Sequence, residues 1–287
     1  MSKILSLLRN DLLTYPAQDD ISPSHPQSLS VFNSIKPQQF HHVPFSQATM
    51  LMVVNGHKQA KLNDNSILAS AGDMLLIPPD TSLWIGNYPD EQKQRYLGLA
   101  FRFDHTAIRL FKQTYGSSLD SWETTPIWHA SAPDNIMTTL HLWIEWYNHY
   151  PSEPQLSQHR QVELLLLLAQ SGLIGNILLG EHPSWRQRVT QLLSIDPAQA
   201  WQINEVCTHL GVSESSLRRK LQEEQSNFRD LLEEVRLATG LSLLLETMRS
   251  IGQVADAVGY QSQSRFGERF KRRFGMTPSE LRKTRPD

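Results

Sequence analysis

Residues 250–280 read SIGQVADAVGYQSQSRFGERFKRRFGMTPSE, and this stretch decides the fold of the C-terminal part of the chain. Apolar residues recur at helical spacing on both sides of Gly259, which predicts two short helices joined by a tight turn. Ala255 is small where the two helices must cross closely, and Gly259 admits the left-handed backbone that such a turn needs. Phe266 and Phe270 form the buried stripe of the second helix. The stretch is therefore typical of a helix-turn-helix.

The same plan occurs once before, in residues 202–224, which read QINEVCTHLGVSESSLRRKLQEE. Cys207 and Gly211 lie 48 positions ahead of the small residue and the glycine of the later copy. Leu217 and Leu221 supply the buried stripe. The two copies predict a tandem helix-turn-helix, whose core positions are Cys207, Gly211, Leu217, Leu221, Ala255, Gly259, Phe266 and Phe270.

Helix starts and stops are well marked in the C-terminal part. Glycines at 211, 259 and 275 are typical of helix ends. The spacing of a capping box occurs three times, in Ser184 and Gln187, Ser250 and Gln253, and Thr277 and Glu280. These signals predict seven helices, at about 185–194, 203–210, 214–224, 228–247, 251–258, 263–274 and 278–284. The helix at 228–247 would span about 30 Å, close to the ~34 Å between successive major grooves on one face of B-DNA.

These residues resemble the AraC/XylS family of transcription regulators. The similarity runs from Trp201 to Arg282, and its most specific part is S-I-x-x-V-A-x-x-x-G-Y-x-S-x-S-x-F-x-x-x-F-K-R-x-F-G-x-T-P-S in the second copy. The resemblance implies a cytoplasmic regulator that binds double-stranded DNA sequence-specifically. As is usual in the family, it would be an activator that contacts RNA polymerase. Residues 184–287 would form its DNA-binding domain.

By position, the resemblance directs polar side chains of the helices at 214–224 and 263–274 towards two adjacent major grooves. Arg pairs well with guanine and Gln with adenine, whereas phosphate contacts position a protein without specifying sequence. The residues expected to read bases are Ser215, Ser216, Arg218, Arg219, Gln263, Ser264 and Arg265. Those expected to contact phosphates are Lys271, Arg272 and Arg273. The alternative for any one of them is a solvated helix face.

Four positions depart from the family pattern. Cys207 replaces a common alanine, and we interpret it as a small core residue rather than a redox sensor. Gln225 stands in place of a frequent glycine after the first recognition helix. Gly240 replaces a usual alanine inside a helix, at a cost of about 1 kcal/mol of helix stability. Glu268 stands where many members carry arginine, which removes an expected DNA contact.

The part before residue 184 has a different pattern. Residues 29–104 contain short runs rich in Val, Ile, Leu and Phe between turn signals, which predicts a small β-barrel or sandwich. Residues 105–183 turn helical. Residues 1–28 are expected to be a lead-in, in which a short apolar pattern is followed by a loosely ordered polar stretch. The fold class is thus α+β, with an N-terminal barrel and following helices before the all-α C-terminal domain. The resemblance implies that the barrel is cupin-like, and that residues 29–183 bind a small effector, form a homodimer, or do both.

The sequence disfavours an enzyme. Residues 71–87, AGDMLLIPPDTSLWIGN, look like the second cupin motif, yet Leu83 occupies its metal position. No nucleophile elbow, Walker A loop or dinucleotide fingerprint is present, so no metal, cofactor or catalytic residue is expected. One alternative function is a cupin-type small-molecule-binding module or enzyme with an accessory DNA-binding tail. Another is an architectural DNA-binding protein without an effector.

Charge is distributed unevenly along the chain. The whole sequence has 27 Lys and Arg against 29 Asp and Glu, but residues 186–287 hold 16 of the basic and only 13 of the acidic residues. A basic end on an acidic chain is expected when that end meets a polyanion.

Five consecutive leucines, Leu164–Leu168, lie in an apolar run that polar residues interrupt, so no membrane span is expected. The run predicts a long apolar helix at 155–180. Its apolar surface exceeds what one barrel needs to cover, which makes it the candidate dimer interface.

Overall fold

A computed structural model describes residues 2–15, 28–92, 94–116, 122–149 and 154–286 of the chain. Its N-terminal half contains two antiparallel sheets, of strand order β1-β8-β3-β6-β9 and β2-β7-β4-β5. The strands are β1 (Leu29–Ser34), β2 (Gln38–Phe45), β3 (Thr49–Asn55), β4 (His57–Leu62), β5 (Asn65–Ser70), β6 (Asp73–Ile77), β7 (Thr81–Tyr88), β8 (Tyr96–Arg102) and β9 (Trp128–Ser131).

Strand β3 shows how the five-stranded sheet is covered on both faces. All seven of its residues are buried, and successive side chains point to opposite faces of a strand. Met50 and Met52 pack with the helices of the N-terminal half. Leu51 and Val53 face the other sheet and share a core with Phe40 of β2. The strand-rich prediction for residues 29–104 is confirmed, and β9 adds a strand within the region expected to be helical.

The helices surround the sheets and form the whole C-terminal part. They are α1 (Lys3–Thr14), α2 (His105–Tyr115), α3 (Asp134–His149), α4 (Pro154–Gln170), α5 (Gly175–Leu178), α6 (Trp185–Leu193), α7 (Ile203–Leu210), α8 (Glu214–Glu223), α9 (Phe228–Glu246), α10 (Ile251–Ala257), α11 (Gln263–Phe274) and α12 (Pro278–Arg282). The helices predicted after residue 184 are all present, with ends within two residues of the prediction. The three predicted capping boxes are formed, at Ser184, Ser250 and Thr277.

The apolar beginning of the expected lead-in forms a helix. Residues 3–14 form α1, which buries Leu5, Leu8 and Leu12 in the core of the N-terminal half. The apolar spacing that begins the chain is therefore that of a packed amphipathic helix. Residues 16–27 lie outside the described residues.

The long apolar helix expected at 155–180 is wrong. Helix α4 ends at Gln170, and Gly172, with a φ of 70°, turns the chain into the short helix α5. Leu164, Leu165 and Leu168 are buried in the core that covers the five-stranded sheet. These leucines are thus used inside their own domain, while Leu156 and Leu179 stay 50% exposed, and the dimer interface remains a prediction.

Helix α9 joins the two helix-turn-helix copies and contacts both of their cores. Leu231 and Val235, in its first half, pack with the first copy. Leu241 and Leu244, in its second half, pack with the second copy and with the inner face of the sheets. The second copy therefore shares one hydrophobic core with the barrel, whereas the first copy has a core of its own.

Candidate nucleic-acid interface

The first helix-turn-helix is formed by α7 and α8. Val206 and Cys207 on α7 pack with Leu217 and Leu221 on α8, and all four side chains are buried. Gly211 ends α7 with a φ of 65°, the left-handed conformation that the turn requires. The α8 face opposite these leucines is left to solvent.

The second helix-turn-helix is formed by α10 and α11. Ala255, Phe266 and Phe270 are fully buried. Gly259 has a φ of 78°, and a Cβ there would lie 2.9 Å from the Ala198 backbone. Both the conformation and the space at this turn therefore require glycine.

Cys207 has the surroundings of a packing residue. Its side chain is buried, and burial together with the nearby Glu214 carboxylate raises the pKa of the thiol. Because the thiolate is the reactive form, a raised pKa favours the interpretation of Cys207 as a small residue at a helix crossing.

Helix α8 carries its four predicted base-reading residues on or beside its exposed face. Ser215 is exposed and Ser216 is half-buried. The Arg218 and Arg219 side chains are 63% and 71% exposed. Arg218 donates to Glu214, one turn earlier, at 2.7 Å. Pairs of this kind stabilise a helix by only about 0.2–0.5 kcal/mol, so a guanine edge can replace the carboxylate at little cost.

Helix α11 exposes its first turn. Gln263, Ser264 and Arg265 are all exposed, and the Ser262 hydroxyl caps the helix by accepting from the Arg265 backbone N–H. The N-terminal residues of a recognition helix are those that contact base edges in helix-turn-helix proteins. Glu268, which departs from the family pattern, is exposed one turn further along.

The three predicted phosphate contacts have different surroundings. Lys271 is exposed. The Arg272 side chain is 64% exposed and donates to Glu233 of α9 at 3.3 Å. Both side chains lie at the protein surface near the end of α11.

Arg273 differs from its neighbours in being held by the protein itself. Its side chain is only 28% exposed and donates to the Glu234 carboxylate at 2.9 Å. It also donates to the backbone carbonyl of His42, in β2, at 3.0 Å. A phosphate can therefore reach this guanidinium only when those contacts open. No local pattern predicts this contact, because His42 is 231 positions away.

Comparisons with known proteins agree with this geometry. Residues 206–284 match a family described as helix-turn-helix domain. The urease operon transcriptional activator of Escherichia coli is 25% identical over 249 residues, which cover 83% of this chain and 84% of that protein. GadX of Escherichia coli strain K12, a helix-turn-helix transcriptional regulator, is 32% identical over 140 residues, 44% of this chain and 51% of GadX.

The helix-turn-helix part of the chain thus resembles the AraC/XylS family of DNA-binding transcription regulators. The fold of the whole chain is similar to that of ToxT from Vibrio cholerae in a crystal structure of the unsaturated fatty acid-bound protein. That match has a TM-score of 0.63 at 15% identity and covers 89% of this chain and 94% of ToxT.

The N-terminal half of the chain contains a candidate effector site whose residues the sequence left unassigned. A cavity of about 140 Å³ lies between the sheets and helix α9. Its wall is mostly apolar, with Phe32 and Ile85 from the strands and Leu241 and Leu245 from the helix. The alternation of the strands predicts apolar lining but cannot predict that α9 covers it.

Two cations line the cavity. Lys58 is 2% exposed, and burial lowers the pKa of its ammonium to about 7. The ammonium donates to the Asn87 side chain and lies 5.2 Å from the centre of the Tyr96 ring. Burial also lowers the pKa of Arg102, while the Glu246 carboxylate at the end of α9 opposes that shift. A cavity with mostly apolar walls, one buried lysine and one half-buried arginine is suited to an anionic group attached to an apolar body.

Two features are absent from the described ranges of the chain, a metal-holding cluster and a membrane-spanning helix. No group of three or more His, Cys, Asp and Glu residues there is arranged to hold a metal ion. No described helix combines the length and apolar character needed to cross a bilayer.

Proposed function

We propose that the chain binds one DNA site through α8 and α11, which enter two adjacent major grooves. The observation that carries the proposal is the repeated geometry, in which each copy buries its apolar stripe and exposes a polar face. The 19 residues of α9, at about 1.5 Å per residue, give a separator close in length to the ~34 Å between such grooves.

Within this site, we propose two roles for the exposed residues. Ser215, Ser216, Arg218 and Arg219 read bases from α8, and Gln263, Ser264 and Arg265 read bases from α11. Lys271 and Arg272 contact phosphates, whereas Arg273, predicted from the sequence to do the same, is held by Glu234 and His42. The exposure of Arg218 and Arg219 supports base reading, and the position of Lys271 near the end of α11 supports a phosphate contact.

Residues 184–287 act as the DNA-binding unit in this proposal, and residues 29–183, extended by α1, act as the effector and dimerisation unit. The effector is an anionic molecule with an apolar body, because Lys58 and Arg102 line a mostly apolar cavity. The bound fatty acid of ToxT supports the same class. Oleate and oleyl alcohol share the same apolar tail, but only oleate carries an anionic group. Each compound is titrated into the protein, and the change in DNA affinity is measured to show whether the anionic group matters. An equal response to both would exclude a role for the cations.

Self-association is proposed to use the outer helices of the N-terminal half. Leu7 and Leu13 of α1 and Leu142 of α3 are exposed at 39%, 36% and 49%, and α1 packs beside α3. Sedimentation of the wild-type protein and of Leu142→Gln tests this. The dimer of the variant should already dissociate at a protein concentration at which the wild-type dimer is still intact. An unchanged sedimentation profile would place the interface elsewhere.

The protein is further proposed to be a cytoplasmic activator without enzymatic activity that contacts RNA polymerase from its promoter site. The name of the urease operon transcriptional activator, a relative matched over most of its length, supports activation. The alternative of a cupin-type metalloenzyme has no group of three or more His, Cys, Asp and Glu side chains in its favour among the described residues.

The experiment that tests DNA recognition is a selection from a random duplex library by the full-length protein. Fluorescence anisotropy then compares the selected duplex with a scrambled one across a salt series. We expect a bipartite motif and a clear preference for the selected duplex. A library that yields no motif, or the absence of binding at low salt, would overturn the proposed function.

A further inference from the structure

The carboxylate of Glu234, near the middle of α9, is shared between two arginines. One oxygen, Oε1, accepts from Arg186 of α6, and the other, Oε2, accepts from Arg273 of α11 at 2.9 Å. The Glu234 side chain is only 11% exposed, and the two arginines are 27% and 28% exposed. Charged hydrogen bonds this shielded from water are stronger and more directional than surface pairs.

Each arginine belongs to a different helix-turn-helix unit. Helix α6 buries Val189 and Leu193 in the core of the first copy, so Arg186 moves with that copy. Arg273 is the residue before the buried Phe274 at the end of α11, so it moves with the second copy. Glu234 thus forms a bridge between the two recognition units, in addition to the apolar packing of α9.

The outer ends of this bridge rest on the barrel. On one side, Arg186 lies 3.7 Å from the Asp80 carboxylate, which also accepts from the Ser184 hydroxyl at 2.8 Å. On the other side, Arg273 donates to the His42 carbonyl. The barrel therefore braces both recognition units through the arginines that Glu234 holds.

The backbone at His42 is shaped for this contact. His42 has a φ of 50° and lies where the pairing of β2 with β7 shifts register, between Phe40 and Val43. A residue with a side chain rarely adopts this conformation. Gly275, at the end of α11, has a φ of 84°, and a Cβ there would lie 3.0 Å from the His41 ring. The bulge and the glycine together let α11 end against the barrel.

We propose that Glu234 is a positioning residue for DNA recognition, which fixes the separation and orientation of the two recognition helices. The proposal rests on the proposed binding of two adjacent grooves. Two linked binding units gain affinity only when their geometry matches the spacing of their sites. A rigid bridge should therefore make binding sharply dependent on the number of base pairs between the half-sites.

The test inserts or deletes one and two base pairs between the half-sites of the selected duplex and measures the affinity of the full-length protein. The wild-type protein should lose about tenfold or more in affinity at the wrong spacing. In Glu234→Gln, the amide oxygen can accept from one arginine, but the amide nitrogen cannot accept from the other. We expect the loss at the wrong spacing to shrink to about threefold or less in this variant.

Glu233→Gln is the matched control. Glu233 is the adjacent carboxylate, and its ion pairs, with Arg269 at 3.5 Å and Arg272 at 3.3 Å, both involve α11 alone. This variant should keep the wild-type dependence on spacing. Should Glu234→Gln not fold, Arg186→Gln opens the same bridge from the other side and is expected to give the same flattened profile.

The outcomes separate the two proposals. A wild-type protein that ignores spacing would overturn two-groove binding, and the role of Glu234 with it. If the wild-type affinity depends steeply on spacing and Glu234→Gln keeps that dependence, the role of Glu234 alone is overturned. This holds even if the variant binds every duplex more weakly, since a purely structural role would lower the affinity at every spacing alike.

Discussion

Gln225, two residues beyond α8, has a left-handed backbone with a φ of 52°. The Ser226 N–H bonds to the Leu221 carbonyl at 2.8 Å, the closing bond of a helix C-terminus that requires this conformation at the residue before it. A side chain here costs about 1 kcal/mol relative to glycine. The family's frequent glycine at this position therefore has a physical reason, and this chain has a strained residue there.

We expect Gln225→Gly to raise the free energy of unfolding by about 1 kcal/mol, because glycine adopts the left-handed region without strain. Urea denaturation measures the change. Gln222→Gly, inside α8, is the matched control and should lower the free energy of unfolding by about 1 kcal/mol. A loss of stability at both positions would show that the backbone at 225 carries no strain.

Gly240 also departs from the family pattern, and the structure explains why. A Cβ at this position would lie 2.8 Å from the Phe266 ring. That ring is fully buried, with its centre 5.4 Å from that of Tyr260 and 5.5 Å from that of Phe270. It therefore has little room to move away.

We expect Gly240→Ala to lower the free energy of unfolding by about 1 kcal/mol. Overpacking of a core costs about 1–3 kcal/mol, which exceeds the gain of about 1 kcal/mol from helix propensity. In a Phe266→Leu background the same substitution should stabilise, since the smaller side chain leaves room for the Cβ. Thermal or urea unfolding of the wild type, the two single variants and the double variant measures the coupling between the two positions. Purely additive effects on the free energy of unfolding would mean that Gly240 and Phe266 do not constrain one another.

At the scale of whole elements, short-range patterns were the most informative part of the sequence. Ser184, Ser250 and Thr277 begin helices as predicted, because a capping box needs only residues three positions apart. The helix expected at 155–180 was drawn too long, because Gly172 turns the chain after α4. The apolar spacing that begins the chain was not assigned to a helix, although it is a local pattern.

For recognition helix α8, we expect Arg218→Ala to reduce the preference for the selected over the scrambled duplex by ~1–3 kcal/mol, the value of a bidentate contact with a base. Anisotropy with the full-length variant measures both affinities at one salt concentration. An unchanged ratio would assign Arg218 to the solvated face, where its pair with Glu214 already holds it.

For recognition helix α11, Lys271→Ala should weaken binding to the selected and the scrambled duplex alike. Because one phosphate contact is lost, the slope of log affinity against log salt should become shallower by about one unit. Titrations at four salt concentrations measure the slope. A loss confined to the selected duplex would instead make Lys271 a base-reading residue.

Over the whole molecule, the contacts that join the two halves escaped sequence reasoning. The buried Gln38 side chain donates to the Thr284 hydroxyl at 2.7 Å, across 246 positions, and accepts from Asn87 at 2.9 Å. Asn87 in turn accepts from Lys58 in the cavity. A hydrogen-bonded chain thus runs from the cavity to the end of α12. No pattern of spacing identifies such partners, since polar residues on strands and at helix ends are individually ordinary.

The ammonium that begins this chain makes the stability of the whole molecule depend on pH. Burial lowers the pKa of Lys58 from its ordinary 10.5 to about 7. Between these values the unfolded chain binds a proton that the folded chain does not, so the contribution of Lys58 to the free energy of unfolding rises with pH. Below about pH 7 both states are protonated, and the folded state carries the full cost of the buried charge.

We therefore expect Lys58→Met to be more stable than the wild type at pH 6.5, because methionine fills the same space without a buried charge. The difference should narrow steadily as the pH rises from 7 towards 10, since the wild-type lysine loses its proton in that range. Urea unfolding of both proteins at pH 6.5, 8 and 9.5 gives the difference directly. A difference that stays constant over this range would show that the lysine keeps its charge, with Asn87 and the aromatic rings around it compensating for the lost water.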